Sequence, residues 1–261
     1  MDEKMKGGQA TMWIVLAIVL LASVILFFLL SGDVKIIKPS TGDAPFEIQT
    51  FLESCASTSV SEAVDIMLPH GGFIQPRNII RFDGGNVEYI CDTIQAYDPC
   101  IQQHPMLINE MEMEIKNYIF DELEDCFGEM AEKYGARGWE MTFASSLDFD
   151  VDLMPGKVVL DVRKEIVIDW EGDKKTFKEF DVEIKSPLYD LAKVALEIAA
   201  QEGKPGQCYF ENVGYSLTYP RYNIELYNLF PDGTKIFTIN DKKSGKFMRI
   251  ATRSCVVPRG I

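Results

Sequence analysis

An uninterrupted apolar run near the N-terminus constrains the fold of this chain more than any other feature. Thr11 to Leu30 contains no charged side chain and reads TMWIVLAIVLLASVILFFLL. As a helix, this run would be about 30 Å long, which is the thickness of the hydrocarbon core of a bilayer. A buried core helix and a cleaved secretory signal are the alternatives, but continuous apolarity over this length is typical of neither. We therefore predict a transmembrane helix at residues 11–30.

The cysteines of the chain all follow this run, at Cys55, Cys91, Cys100, Cys126, Cys208 and Cys255. They form no CxxC motif, and the chain has only 2 histidines, so the pattern does not favour zinc. An even number of cysteines on one side of a span is typical of disulfides in an oxidising compartment. Lys4 and Lys6 before the run weakly favour a cytoplasmic N-terminus. We predict a single-pass protein of the cell membrane whose C-terminal domain is extracellular.

The disulfide connectivity is open at this point, because six cysteines can pair in many ways. The spacing and the predicted helices favour three bridges, namely Cys91–Cys100, Cys55–Cys126 and Cys208–Cys255. The first closes a small loop, the second joins two long helices and the third attaches the C-terminus. Buried free thiols are the alternative.

The residues just before the apolar run carry a second signal. Lys6-Gly7-Gly8-Gln9-Ala10-Thr11 resembles the class III signal of archaeal type IV pilins and archaellins, which a prepilin peptidase cuts after a glycine. The resemblance implies cleavage after Gly8 and a mature N-terminus at Gln9. Trp13 departs from the pattern, because many pilins carry a glutamate there that aligns the subunits. An uncleaved signal anchor with a short cytoplasmic tail is the alternative.

The remaining chain divides into a linker and a large domain. We expect a cytoplasmic or processed leader at 1–10, the transmembrane helix at 11–30, a linker at 31–43 and an extracellular domain at 44–261, with a subdivision considered near 204. Gly32, Pro39 and Gly42 end any continuous helix from the membrane, so an unbroken pilin-like stalk is not expected. The large domain has about 220 residues, enough for one large core or two small ones.

Hydrophobic periodicity predicts an α+β domain of long helices and antiparallel sheet. Apolar faces predict helices at about 44–68, 106–134 and 188–201. Alternation predicts strands at 78–90, 147–153, 158–169, 176–184, 222–226, 235–240 and 247–252. The first of these contains Asp83-Gly84, a hairpin signal, and Gly71-Gly72 permits positive φ and close backbone approach.

Several segments together carry a resemblance. They are KGGQAT with the apolar span, FLESC leading to HGGFI, DELEDCF, the series DFDVDL, VVLDV and FKEFDVEIKSPL, and a terminal KIFTIND. Over nearly its whole length the chain is similar to single-pass surface proteins of small-genome DPANN archaea. The resemblance implies an archaeal surface protein and supports the compartment and the architecture. It supplies no catalytic residue.

Charge and motif content argue against several functions. The formal charge of −14 disfavours nucleic acid and anionic lipid surfaces, which are bound by clustered cations. No GxSxG, HExxH, GxGxxG or P-loop motif is present. A disulfide-bonded exterior also leaves few free thiolates to act as nucleophiles. We therefore expect no enzyme, no metal site and no cofactor.

The remaining polar residues have structural interpretations. We expect a solvated strand face that carries Asp148, Asp150 and Asp152. A hairpin that turns at Pro155-Gly156 would bring Asp148 near Arg163 and place Asp150 opposite Asp161. No calcium-binding loop accompanies them. His70 and His104 are expected to be turn residues. An acidic helix face is expected from Glu110, Glu112, Glu114, Glu122, Glu124 and Asp125.

Aromatic residues are frequent toward the C-terminus, at Tyr209, Phe210, Tyr215, Tyr219, Tyr222, Tyr227, Phe230 and Phe237. They are expected mainly in a β-rich core, and the alternative is a face that binds glycan or protein.

Together these features predict a structural or interaction protein of the cell surface. The favoured form is pilin-like and assembles into a filament through its apolar N-terminal helix, with membrane lipid, further copies or other surface proteins as partners. A monomeric membrane-anchored adhesin or binding protein is the alternative, and an ectoenzyme is less favoured.

Overall fold

Ten strands and four α-helices make up the part of the chain that the structure describes. The structure is a computed structural model that describes residues 20, 44–93, 95, 98–170, 172–204, 212–228 and 230–254. The predicted leader with Gly8 and Gln9, the linker, the predicted span other than Leu20, and the pair Cys208 and Cys255 lie outside the described residues. Among the described residues, no helix combines the length and apolarity needed to cross a bilayer. Residues 45–261 form one compact unit, here called the C-terminal domain.

The order of elements confirms the α+β class. The helices are α1 (Ala44–Met67), α2 (Leu107–Gly135), α3 (Leu188–Glu202) and α4 (Asn212–Thr218), with a 3₁₀ turn (Leu68–His70) after α1. The strands are β1 (Ile79–Phe82), β2 (Gly85–Asp92), β3 (Ile101–Gln102), β4 (Glu140–Phe143), β5 (Asp148–Met154), β6 (Lys157–Trp170), β7 (Asp173–Lys185), β8 (Tyr222–Tyr227), β9 (Thr234–Asp241) and β10 (Phe247–Arg253). The sequence pattern does not predict α4, β3 or β4.

The two long helices bury the apolar faces that their sequences predict, with one correction. Along α1 the buried side chains include Ile48, Leu52, Ala56 and Ala63, spaced as one helical face. On α2 the helical spacing predicts one face with Ile108, Met111, Ile115, Ile119, Glu122, Cys126 and Met130, but Glu122 is exposed and Leu123 is buried instead. Leu123 continues the row from Ile119 at i+4, so the apolar residue takes the core position.

A four-stranded antiparallel sheet is centred on β6. Its partner on one side is β7, and on the other side β5 and then β4 pair with it. The register pairs Asp148 with Arg163 and Asp150 with Asp161, as the hairpin signal predicts. Residues alternate along β5, with Phe149, Val151 and Leu153 buried and the aspartates exposed.

A six-stranded sheet has the order β1-β2-β10-β9-β8, and β3 also pairs with β2. Every described strand pair of the domain is antiparallel except the pair of β2 and β10, which is parallel. The prediction of antiparallel sheet is therefore confirmed for the other described pairs and wrong for this one. Alternating hydrophobicity identifies a strand but not the direction of its neighbour, and β10 reaches β2 from far along the sequence.

The core joins the helices to both sheets. Helix α3 contacts β2, β9 and β10 of the larger sheet and β5 and β6 of the smaller one. At its end, Oε2 of the fully buried Glu202 accepts hydrogen bonds from Nζ of Lys235 at 2.6 Å and from Oγ of Ser254 at 2.5 Å. This charged group fixes α3 against the strands because a buried carboxylate requires such donors.

Two of the three predicted disulfides are present. Cys55 of α1 and Cys126 of α2 have their Cα atoms 6.3 Å apart, and Cys91 and Cys100 have theirs 5.4 Å apart. Among the described residues no cysteine is free. The longer bridge joins the two helices at their buried faces, and the shorter one closes the loop between β2 and β3.

Candidate functional site

One candidate site is a groove on the face of the six-stranded sheet that points away from the helices. We call it the outer-sheet groove, and its volume is about 700 Å³. Its lining includes Phe82, Asp83, Tyr227, Phe230, Ile236, Thr238 and Arg249, with Arg81 and Glu225 at the rim. This volume lies within the range of ordinary small-ligand sites.

Strand register explains why these side chains meet. On β8, β9 and β10, the residues Glu225, Thr238 and Arg249 lie directly opposite one another and form one row across the sheet. The neighbouring row on the same face contains Tyr227, Ile236 and Ala251. Successive side chains of a strand point to opposite faces, so residues two apart share this outer face.

The hairpin of β1 and β2 supplies the opposite wall. Asp83 (φ 51°) and Gly84 (φ 78°) form its two-residue turn, and an Asp-Gly pair suits such a turn because both positions require positive φ. Only Tyr89 and Cys91 of β2 pair with β10, so the tip of the hairpin departs from the sheet. The tip lies over the outer face, where Phe82 and Ile80 pack on a small cluster of Val87, Tyr89, Ile236 and Ala251.

Phe82 of the hairpin wall meets Tyr227 and Phe230, and we call these three rings the aromatic floor of the groove. The ring centre of Phe82 lies 5.0 Å from that of Tyr227, and Tyr227 lies 5.4 Å from Phe230. The planes are inclined by 53° and 73°, an arrangement that aromatic quadrupoles favour over face-to-face stacking. Tyr227 remains 40% exposed although it belongs to this cluster. The floor therefore offers aromatic surface to a ligand.

Arg249 holds the hairpin tip to the sheet. Its guanidinium carbon lies 5.1 Å from the ring centre of Phe82 and 5.3 Å from that of Phe247. Its Nη2 lies 3.2 Å from Oδ2 of Asp83, and only 14% of its side chain is exposed. Asp83 is 72% exposed, so water screens this ion pair, and the two rings and Asp83 together make Arg249 a positioning group rather than a free cation.

The rim adds polar groups of both signs. Arg81 is exposed at one side. At the other side, Oε1 of Glu225 accepts hydrogen bonds from the side-chain amides of Asn223 and Asn240 at 3.1 Å and 3.3 Å. The groove therefore presents donors and acceptors around an apolar floor.

A network of hydrogen bonds lies beside the groove on the same face of the sheet. The hydroxyls of Tyr89 and Thr234 are hydrogen bonded at 2.8 Å, and burial raises the pKa of Tyr89 above its usual range. Arg253 donates to both carboxylate oxygens of Asp92 at 2.8 Å and 3.0 Å. Such a two-pronged pair fixes the geometry of both side chains, so it holds β10 to β2 beside the groove.

A second constellation surrounds His104. Its Nδ1 lies 2.6 Å from Oε2 of Glu110, and its Nε2 lies 3.3 Å from Oε1 of Glu88. Burial of the imidazole opposes its charge, but the hydrogen bonds and charges of Glu88 and Glu110 outweigh burial and raise the pKa of His104. The Glu88 carboxylate is only 2% exposed and also accepts the backbone N–H groups of Arg77 and Asn78. The cluster therefore joins a loop, a strand and the first turn of α2.

The loop beside His104 needs its glycines. Gly71 and Gly72 have φ of 78° and 98°, as the sequence predicts. A Cβ at Gly71 would lie 2.9 Å from Cβ of Glu88, and one at Gly72 would collide with Met111. His70 precedes them, and burial lowers its pKa. Its Nδ1 is buried without a hydrogen-bond partner among the described residues.

The aspartate stripe on β5 forms ion pairs. Arg163 Nη2 lies 2.7 Å from Asp148 and 2.8 Å from Asp150, and Lys116 of α2 lies 3.2 Å from Asp150. All of these side chains are substantially exposed, which limits their energetic weight. In the described part of the chain, no group of three or more histidine, cysteine, aspartate or glutamate side chains could hold a metal ion.

The glutamates at the start of α2 connect this helix to neighbouring segments of the chain. Glu110 contacts His104, whereas Glu112 accepts the backbone N–H of Leu153 and Glu114 that of Ile74, each at 2.9 Å. Their spacing of two residues distributes them around the helix, so each reaches a different neighbouring segment. Sequence periodicity shows their polarity but not these partners.

Sequence reasoning found part of the outer-sheet groove. Of the aromatic residues noted near the C-terminus, Tyr227 and Phe230 line it, while Tyr215, Tyr222 and Phe237 are buried in the core. Phe82 and Arg249 were missed because their meeting depends on the path of the hairpin tip. For the β8 side of the groove the sequence does carry a local signal, because Glu225 and Tyr227 alternate with the buried Ile224.

A second groove lies between α1 and α2, beside the Cys55–Cys126 bridge. Its volume is about 550 Å³, and it contains Phe51, Lys133 and Arg137. Nζ of Lys133 lies 4.7 Å from the Phe51 ring centre, so part of its charge is already engaged by an aromatic face. Both grooves combine rings with charged groups of both signs, but Tyr227 of the outer-sheet groove is 40% exposed whereas Tyr134 of the second groove is 2% exposed, so we favour the outer-sheet groove.

Comparison with known proteins adds no assignment. No protein family, curated protein or solved structure matches the chain.

Proposed function

We propose that this chain is a membrane-anchored cell-surface interaction protein that binds a partner through the outer-sheet groove. The observation that carries the proposal is the partly exposed aromatic floor formed by Phe82, Tyr227 and Phe230 on the sheet face opposite the core. Exposed aromatic surface beside polar groups is typical of binding sites.

The anchoring part of the proposal rests on the apolar run at residues 11–30. Its length suits a bilayer core, and every cysteine follows it. The bridges Cys55–Cys126 and Cys91–Cys100 favour an oxidising compartment, where such bonds persist. The apolar run and the bridges together support an extracellular location of the C-terminal domain.

A binding role suits the carboxylates better than a catalytic role. Glu88, Glu110, Glu112 and Glu114 each hold a backbone N–H or the His104 ring. The groove carboxylate Asp83 is paired with Arg249. A general acid or base must exchange a proton with the substrate. These carboxylates are instead bound to groups of the protein itself.

The test uses the full-length chain in detergent, immobilised and exposed to purified fragments of the cell envelope on which it resides. We expect Tyr227→Ala to reduce retention of the fragments at least about tenfold relative to the unchanged chain. Phe120→Ala is the matched control, because Phe120 on α2 is 38% exposed and contacts Phe149 of the other sheet. Equal retention by the Tyr227→Ala variant and the unchanged chain would contradict the proposal.

The location is tested separately on intact cells. A membrane-impermeant amine reagent should label lysines of the C-terminal domain, such as Lys178, whose side chain is 66% exposed. Labelling that requires cell lysis would contradict an extracellular domain.

A pilin-like subunit is the second candidate, and the Lys6-Gly7-Gly8-Gln9 junction favours it. Mass spectrometry of the native protein should then show Gln9 as the first residue. Sheared surface material should contain the protein as a sedimenting polymer. An intact Met1 together with retention in the membrane fraction would leave the monomeric anchored binding protein instead.

A further inference from the structure

We infer that the outer-sheet groove binds an uncharged pyranose oligosaccharide. The inference rests on the proposed function, since it assigns a ligand class to the same groove. Three properties of the groove support it: the aromatic floor, the balanced charges and the polar rim.

The aromatic floor matches the chemistry of a sugar ring. A pyranose has faces made of C–H groups, and an aromatic face is electron-rich, so the two attract each other when they stack. Tyr227 is exposed enough to receive such a face. Phe82 and Phe230 hold it from two sides at 5.0 Å and 5.4 Å, which limits the rotamer freedom lost on binding.

The balance of charge disfavours ionic ligands. Arg249 is paired with Asp83 at 3.2 Å, so the interior of the groove has no unopposed cation for a phosphate, a sulfate or an acidic peptide. At the rim, the positive charge of Arg81 and the negative charge of Glu225 offset each other in the net charge of the groove. The chain as a whole carries a formal charge of −14, which repels anions further.

The polar rim disfavours a purely apolar occupant. An apolar segment seated in the groove would remove Arg81, Glu225 and Thr238 from water without providing hydrogen bonds, and this desolvation is unfavourable. Sugar hydroxyls both donate and accept, so they can bind the Arg81 guanidinium and the Glu225 carboxylate at the same time. Glu225 on β8 lies directly opposite Thr238 on β9, which places a carboxylate and a hydroxyl side by side.

The experiment is a calorimetric titration of the full-length chain with tetrasaccharides of glucose, mannose, galactose and N-acetylglucosamine. The detergent must lack a sugar headgroup, because a maltoside or glucoside would itself compete for the groove. We expect at least one tetrasaccharide to bind, and Tyr227→Ala to weaken its affinity at least about tenfold. Tyr227→Phe keeps the ring and should stay within about threefold, whereas Glu225→Gln should weaken binding by about threefold to tenfold.

Phe120→Ala again serves as the matched control and should bind like the unchanged chain. Binding of no tetrasaccharide, or binding that Tyr227→Ala leaves unchanged, would overturn the inference. If envelope fragments are still retained in a Tyr227-dependent manner but none of the sugars competes, the ligand class is wrong and the groove remains a site for a protein partner. If Tyr227→Ala changes neither assay, the proposed function fails as well.

Discussion

Arg249 reaches from β10 to the tip of the β1–β2 hairpin, where its guanidinium stacks over Phe82 at 5.1 Å. The same group lies 3.2 Å from Asp83 and 5.3 Å from the ring centre of Phe247. One side chain therefore holds the wall of the outer-sheet groove against its floor.

Replacing Arg249 by Met should loosen that wall. The change removes two cation–π contacts and one ion pair, which together contribute about 1–2 kcal/mol. We expect the free energy of unfolding to fall by this amount and amide hydrogen exchange at Gly84 and Gly85 to accelerate. Arg81→Met, at the exposed rim of the same groove, is the control and should leave both quantities nearly unchanged. Equal effects of the two variants would contradict the role assigned to Arg249.

The two described disulfides should differ in their contribution to stability. Their cysteines lie 71 and 9 positions apart, and the chain-entropy model gives about 4 kcal/mol for the longer loop and about 2.5 kcal/mol for the shorter one. We expect the double variant Cys55→Ser with Cys126→Ser to unfold at lower denaturant than Cys91→Ser with Cys100→Ser. Denaturant melts under oxidising conditions measure this order, and the reverse order would show that loop entropy does not dominate here.

The two histidines should give the protein opposing pH dependences. The pKa of His104 is raised above 6.5, so its contribution to stability is fully present below pH 6.5 and is lost as the pH rises through the folded-state pKa. The pKa of His70 is lowered by burial, so its contribution is present above pH 6.5 and is lost as the pH falls.

Paired variants separate the two contributions. His104→Gln should remove the loss of unfolding free energy above pH 6.5, and His70→Asn should remove the loss below it. Thermal melts of the unchanged chain and both variants across this range provide the measurement. A His104→Gln variant that still loses stability above pH 6.5 would show that another group titrates there.

A charge within the apolar run should impair membrane insertion. Leu20→Arg is expected to cost about 2.5–3.5 kcal/mol at the centre of a spanning helix. The variant should move from the membrane fraction to the soluble or degraded fraction, while Leu20→Ala should stay in the membrane. Unchanged fractionation of Leu20→Arg would count against a span at residues 11–30.

Local patterns predicted most elements of the C-terminal domain because each is encoded by short-range spacing. The alternation of Phe149, Val151 and Leu153 with aspartates defines β5, and Asp83-Gly84 defines a hairpin turn. The bridge between Cys55 and Cys126 followed from two helices with apolar faces. In each case the periodicity that buries the residue also identifies the element.

Long-range contacts were beyond such patterns. Nothing near Asp92 indicates that Arg253, 161 positions later, binds its carboxylate. The same holds for the parallel pairing of β2 with β10 and for Arg249 at the hairpin tip. Glu110, Glu112 and Glu114 likewise acquire their partners only when neighbouring segments fold against α2.

The position of β10 between β2 and β9 bears on how the domain is made. The strand that fills the middle of the larger sheet is among the last parts of the described chain to leave the ribosome. Until it arrives, β2 and the β8–β9 hairpin have unpaired edges facing each other, and unpaired strand edges promote aggregation. The larger sheet therefore stays open at its middle until β10 has been synthesised. The two bridged cysteine pairs, both complete by Cys126, can stabilise the earlier part of the domain during that interval.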